Sequence, residues 1–467
     1  MRSIRPIIIL SLTALICLGS CAKRLRIDER RQDLTSTWPM FRRSPVNTGS
    51  LAADGYQGRL DIIWEAGTSG KPAGPLSIVK GMICYPSAKN RLLFYDTQTG
   101  KYLGRLKTKG GVATGLAVSD SLGIYAIGPR RSRLVCVDLF HRKQLWQMPL
   151  RDAAGGTIII ENLVLAASSD GMLTALRLTT GQEVWVHRDS GRFVAPPTVA
   201  DDLVLQPVDG GRLLILNLSD GSLRHEVRMP GRLVSAVAVD GLGYVTTLGG
   251  RLCAVELDHG SVLWQATLNG DCWVPPAVSQ GRVFVTTSRG SVEAFDALSG
   301  DRLWRRSIDG VIRAPATVVG PAVIAATLTG QVVGLDAATG ELVSERRLSH
   351  GVDQPAVSDG LRVYVASRAG QIICFGDANA ERSQNHHGND PVNQFEGVGP
   401  LTGSRTCYGS PQGLHLRGGS SHGHASGREA VCRPQSLLPV QALRKSEPAT
   451  GGAVRRQYPS GGVGLRR

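Results

Sequence analysis

Nine cysteines and ten histidines are the residues of this 467-residue chain best suited to act as nucleophiles or metal ligands, and their spacing argues against both uses. No CxxC pair and no adjacent cysteine pair occurs, so neither a zinc site nor a redox dithiol is spelled out. Cys84, Cys136, Cys253 and Cys374 each fall inside a short apolar run, and Cys272 stands beside Trp273. That is the setting of small buried core residues rather than reactive thiols, disulfides or metal ligands. Cys407 and Cys432, with His386, His387, His422 and His424, lie in a carboxy-terminal stretch without apolar patterning, where no frame would hold them around a metal. HExxH and phosphate-loop signatures are missing and no GxSxG sits in a strand-to-helix elbow, which leaves no catalytic residue to name. Cys21 alone has a setting that points to chemistry. Ahead of it come two basic residues, Arg2 and Arg5, and an apolar stretch from Ile7 to Leu18 that contains Cys17, the layout of an export signal over residues 1–20.

Leu18-Gly19-Ser20-Cys21 resembles a bacterial lipobox. The resemblance implies cleavage before Cys21 and acylation of both its thiol and its new amino group, against the alternative of an ordinary secretory signal with an incidental cysteine. Buried methylenes contribute about 0.8 kcal/mol each, so several acyl chains hold where one is marginal. Ala22 stands where an inner-membrane retention signal would place Asp, which by the same analogy sends the anchor to the outer membrane. No later apolar run is long enough to cross a bilayer.

The net charge of +15 raises the question of nucleic acid, but the excess sits at the ends. Residues 1–20 carry +2, residues 22–50 carry +4, residues 378–467 carry +6, and the body between them +3. The basic arm of Lys23, Arg24, Arg26, Arg30 and Arg31 suits an anionic lipid surface or a solvated tether as well as a polymer. No nucleic-acid partner is expected.

The element that positions everything else is a repeat. Gly290-Ser-Val-Glu-Ala-Phe-Asp296, then Ala-Leu-Ser-Gly300, then Asp-Arg-Leu-Trp304 has counterparts beginning at Asn90, Ser132, Gly171, Gly211, Gly250, Gly330 and Gly370, at spacings of 39 to 42 residues. Each unit contains four short apolar runs of high β-propensity, punctuated by Gly and Asp, which predicts antiparallel strands. The Asp-x-x-Ser/Thr-Gly link closes a hairpin: Asp accepts backbone N–H bonds and Gly takes a positive φ. Four strands in a period near 40 predict a propeller blade, because one such sheet must stack on neighbours to bury its faces. The expected fold is all-β, an eight-bladed β-propeller of four-stranded antiparallel blades over residues 57–377. Ile62-Ile63-Trp64-Glu65 precedes the first unit and nothing equivalent follows Gly376, so the N-terminal strand should close the last blade and remove an exposed edge. Trp64, Trp146, Trp185, Trp264 and Trp304 share one fourth-strand position, with Gly104, His225 and Ser344 in its place elsewhere. Packing between blades is expected of these indoles.

The repeat resembles the PQQ-like propeller family over residues 38 to 377, and Trp38-Pro-Met-Phe-Arg-Arg-Ser-Pro-Val-Asn-Thr-Gly49 is similar to its lead-in. A lipobox followed by eight such blades looks most like the B-type lipoproteins of the β-barrel assembly machinery, the BAM complex. The resemblance implies a non-catalytic scaffold, lipid-anchored at the outer membrane and facing the periplasm. It would act as a monomer within a complex, binding protein partners such as the central BAM barrel subunit. A periplasmic ligand-binding or sensor propeller is the alternative. A quinone-dependent dehydrogenase is a more distant one, since that family's adjacent-cysteine disulfide and long pocket-building insertions are missing. No cofactor and no metal are expected.

Loops ahead of the inner strands vary while the blades stay constant, and they carry Lys71 and Pro72, Arg192 and Phe193, Arg232 and Leu233, Asp271 to Trp273, Ile312 and Arg313, and Asp353. Arginine and aromatic residues recur there, the types favoured at binding hot spots. Arg192, Phe193, Arg232, Trp273 and Arg313 are therefore the expected partner-binding rim. Residues 21–56 read as lipid anchor and tether. Residues 378–467, rich in Gly, Ser, Arg and His, read as a disordered tail, and their abrupt onset also fits translation in a shifted frame.

Overall fold

The computed structural model describes residues 25, 37–53, 55–128, 132–153 and 155–378; the signal, Cys21 and the tail lie outside the described residues. Eight sheets follow one another along the chain, and the first strand of each contacts its counterparts in neighbouring sheets around a central axis. Blade 6 is typical: Ala277–Ser279 innermost, then Arg282–Thr286, Ser291–Asp296 and, outermost, Arg302–Ser307, all antiparallel. Blade 8 takes its outermost strand from the other end of the molecule, Asp61–Gly67 pairing with Gln371–Gly376. The eight blades and the closing N-terminal strand are as the repeat predicted.

Turn chemistry follows the sequence. Oδ1 of Asp296 accepts the amides of Leu298 and Ser299 at 2.9 and 2.8 Å, and Asp336 does the same for Ala338 and Thr339. Gly300 and Gly340 then adopt φ of 77° and 74°. These amide bonds hold the Asp296 carboxyl below the usual range.

The sequence does not announce a bulge just before the shared tryptophan position. In every blade the third and fourth strands slip by one residue there, as at Leu263 before Trp264, which leaves Leu145, Val184, Leu263, Leu303 and Val343 exposed on the perimeter. A bulge adds local twist, and the twist turns the indole onto the next blade. The Nε1 groups of Trp64, Trp146, Trp185, Trp264 and Trp304 donate to the carbonyls of Thr97, Leu178, Leu218, Ala297 and Ala337 at 2.8–3.1 Å, each in the following blade. Each ring lies against the turn glycine there: a Cβ on Gly100, Gly181, Gly221, Gly300 or Gly340 would fall within 2.5–2.6 Å of it. His225 copies the bond, its Nε2 lying 2.8 Å from the Asp258 carbonyl.

The lead-in is a strap inside the ring. Trp38 exchanges backbone bonds with Ile78 of blade 1, and the carbonyls of Pro39, Pro45, Val46, Thr48 and Gly49 accept the amides of Val118, Val199, Ala238, Val278 and Val318, on the inner strands of blades 2, 4, 5, 6 and 7. Ser50–Leu51 then runs parallel to the inner strand of blade 7. Arg42 is fully buried and donates to the carbonyls of Asn47, Ala316, Thr48 and Pro276. Burial pushes its guanidinium down to about 9, so it is still protonated at neutral pH.

Docking of indole on glycine makes a prediction by double-mutant cycle. Trp264→Ala should cost about 3 kcal/mol. Gly300→Ala should cost about 1–3 kcal/mol, from left-handed strain and the contact with the indole. In chemical denaturation the double variant should fall short of the sum by about 1 kcal/mol, because removing the ring relieves the clash; strict additivity would show that the two residues do not meet.

Candidate functional site

Loops that enter the inner strands lie on one face of the ring, where each is tied to the turn between the second and third strands of its own blade. The amides of Asp209, Leu248, Ser288, Leu328 and Arg368 donate to the carbonyls of Arg192, Arg232, Asp271, Val311 and Gly351 at 2.8–2.9 Å. Five consecutive blades, 4 to 8, thus present their entry loops in one register. On the first of these loops, Arg212 grips Asp189 through two bonds, Nη1–Oδ2 at 3.1 Å and Nη2–Oδ1 at 2.5 Å, while Asp189 also accepts the Gly191 amide at 2.6 Å. Arg212 holds the Asp189 carboxyl below its ordinary range and is itself raised by it. The segment carrying Arg192 is fixed by that fork.

Of the expected rim, Arg192, Arg232 and Arg313 are exposed and Trp273 is half-buried. Arg232 lies 3.4 Å from Asp209, the residue whose amide binds the Arg192 carbonyl, so the loops of blades 4 and 5 are linked. The Arg313 guanidinium sits 4.4 Å from the centre of the Trp273 ring, a cation–π contact joining blades 6 and 7. Phe193 departs from the expectation. It is 2% exposed, in the core shared by blades 2 to 4. The reason is general: Pro72, Val112, Ala153, Phe193 and Ile312 each bridge to the end of their blade's second strand, so this position prolongs the inner strand and turns inward. The sequence reading missed Leu248 and Val311, 37% and 39% exposed, which flank the rim arginines with apolar surface. Their signal was an apolar residue in a turn or loop slot where other blades carry polar ones, Asp209 and Arg368 at the position of Leu248, and Arg192 and Asp271 at that of Val311.

None of the five described cysteines forms a disulfide, and all are buried. Burial pushes the Cys253 and Cys272 thiols up to about 11, which makes them poor nucleophiles. Among the described residues no group of three or more His, Cys, Asp or Glu is placed to hold a metal ion.

A family model described as "Outer membrane protein assembly factor BamB" matches residues 88–235 and 226–412. The chain belongs to this family. Relatives of that name include one from Yersinia pestis, 27% identical over 159 residues (30% of this chain, 40% of the relative), and one from Burkholderia pseudomallei, 28% identical over 206 residues (40% and 51%). The matched regions thus span about half or less of these curated relatives. The crystal structure of BamB from Moraxella catarrhalis superposes with a TM-score of 0.59 at 16% identity, covering 68% of this chain and 99% of that one. A europium-containing methanol dehydrogenase gives 0.59 at 12% identity, covering 72% and 90%. At such identities the structural likeness speaks for the propeller alone, which the BamB family shares with enzymes.

The Asp189–Arg212 fork sets a pH dependence. With its folded pKa depressed, Asp189 contributes stability that is present above the unfolded value near 3.9 and is lost as pH falls through the lower folded value. Asp189→Asn should therefore lower stability by about 1–3 kcal/mol at pH 7, and denaturation curves of variant and parent should converge as pH falls through the lowered folded value of Asp189. A gap that persists in acid would mean the fork does not act through its charge.

Proposed function

We propose that this chain is a non-catalytic scaffold of the outer membrane, lipid-anchored through Cys21 and facing the periplasm, which binds protein partners in β-barrel assembly. Membership in the BamB family supports the setting, and the rim supports the mode. Arg192, Arg232, Arg313 and Trp273, with exposed Leu248 and Val311 between them, combine arginine, aromatic and apolar surface on loops held rigid by backbone bonds. Little ordering entropy is then lost on association. The partner best matched to the family is the central barrel subunit of the assembly machinery.

One observation favours the second reading, a ligand-binding or sensor propeller. A cavity of about 650 Å³ opens beside the strap on the opposite face, lined by Val46, Val239, Leu242, Tyr244 and Leu298 among others. A quinone-dependent oxidation finds no fit, because the calcium-bound quinone of such enzymes needs a set of acidic or amide ligands at the axis. The strap and the carbonyl-bound Arg42 occupy that region instead.

The chain should be captured with its partners from detergent-solubilised membranes. Barrel-assembly subunits among the captures are expected. A variant with Arg192→Glu, Arg232→Glu, Arg313→Glu and Trp273→Ala should lose at least about tenfold of that capture, with its thermal transition nearly unmoved. Undiminished capture would remove the rim from the interface; captures without any assembly subunit would overturn the proposed role.

A further inference from the structure

The modest charge of the propeller body conceals two opposite halves. Residues 68–149, which build blades 1 and 2, hold thirteen Lys or Arg against three Asp, whereas residues 150–377 hold nineteen Arg and no Lys against twenty-four Asp or Glu. Several arginines of the acidic half are paired: Arg212 with Asp189 and Glu226, Arg224 with Asp202 and Asp258, Arg302 with Glu293, Arg368 with Asp353. In the basic half, Lys101, Lys107, Lys109 and Lys143 are exposed and have no carboxylate within ion-pair distance among the described residues. Lys101, Lys107 and Lys143 lie on or beside the outer strands of blades 1 and 2, Tyr102–Lys107 and Lys143–Pro149, at the perimeter, and Lys109 follows just beyond the first of these strands, at the start of the loop that enters blade 2.

The amino-terminal segment docks at that same edge. Leu25 is 1% exposed, its amide donates to the Arg105 carbonyl of blade 1 at 3.2 Å, and Arg142 of blade 2 donates to its carbonyl at 3.3 Å. It packs in the core shared by blades 1 and 2, at the junction where Gly104 stands in place of the usual indole. Cys21 is four residues upstream, so the chain can carry it no more than about 14 Å from this crevice.

We propose that the outer edge of blades 1 and 2 is a membrane-contact surface that lies against anionic phospholipid headgroups, so that the propeller stands on that edge. The inference rests on the Cys21 anchor reading for its place in the cell, while the surface itself is defined by charge and by the Leu25 dock. Lysines near an anionic bilayer are attracted over about a Debye length, and acyl chains attached within about 14 Å of the dock keep the edge inside that range.

The test uses the full chain carrying Cys21→Ser, which removes acylation, with vesicles of phosphatidylcholine alone or with phosphatidylglycerol. Partitioning should rise with the anionic lipid and fall with added salt. The variant Lys101→Glu, Lys107→Glu, Lys109→Glu, Lys143→Glu should lose at least about tenfold, the matching Gln variant should lose less, and the thermal transition of both should stay in place. In the acylated protein, a fluorophore on Lys107→Cys should be quenched by brominated lipid, and one on Ser261→Cys, in the outer strand of blade 5, should not. Equal partitioning of the Glu variant and its parent, or equal quenching at the two sites, would overturn the proposal. Failure of the anchor reading would show separately, as membrane retention in cells that is unchanged by Cys21→Ser.

Discussion

A ring of sheets is stable only if it closes, and here the closure is the pairing of Asp61–Gly67 with Gln371–Gly376, strands about 300 residues apart in the chain. Closing so long a loop carries an entropic cost, though one that grows only logarithmically with length. Leaving it open would be worse. The outer edge of the third strand of blade 8 would be unpaired, and the first and last blades would expose apolar faces that elsewhere meet a neighbour. The strap adds a second closure at the axis. Because its carbonyls accept inner-strand amides of blades 1, 2, 4, 5, 6 and 7, it ties together blades that have no direct contact with each other.

The two closures explain the exceptions in the tryptophan series. Five junctions are filled by an indole lying on a glycine, and His225 makes the same bond at a sixth. The remaining two, after Gly104 and after Ser344, are occupied by residues of the amino-terminal chain instead. Leu25 packs between blades 1 and 2. At the other junction the chain leaves the axis between blades 7 and 8, where the Ser344 hydroxyl donates to the Gly58 carbonyl at 2.6 Å. An indole at either place would occupy the lane that chain fills. What reads in sequence as a weak blade is a docking place.

Legibility followed the kind of interaction. Blade number, hairpin turns and the closing strand could be read because each rests on a side-chain pattern that recurs around the ring: the alternation of apolar residues in every blade, Asp96, Asp138, Asp296 and Asp336 at four turns, and the glycine that closes six turns. The strap could not, since its contacts run from its own carbonyls to the amides of Val118, Val199, Ala238, Val278 and Val318, and backbone bonds between distant segments leave no residue signature. Phe193 was misplaced for a related reason. A residue well ahead of the strand Thr198–Ala200 looks like loop, but its isolated bridge to Val208 resumes the pairing with the second strand and carries the ring into the core. Gly104 and Ser344 were the available signals for the lanes, legible only once the indole was understood to fill the junction.

Charge shows the same dependence on scale. Averaged over the body it is small; counted blade by blade, basic residues gather in blades 1 and 2, while the proposed rim lies on the loops of blades 4 to 7. In a ring of eight, blades 5 and 6 stand opposite blades 1 and 2. A propeller held by its basic edge would therefore present the rim loops away from the bilayer. The anchor and the binding surface would then be separated by the width of the ring. That separation follows from where Leu25 enters, because the junction at Gly104 fixes which blades lie nearest the attachment point.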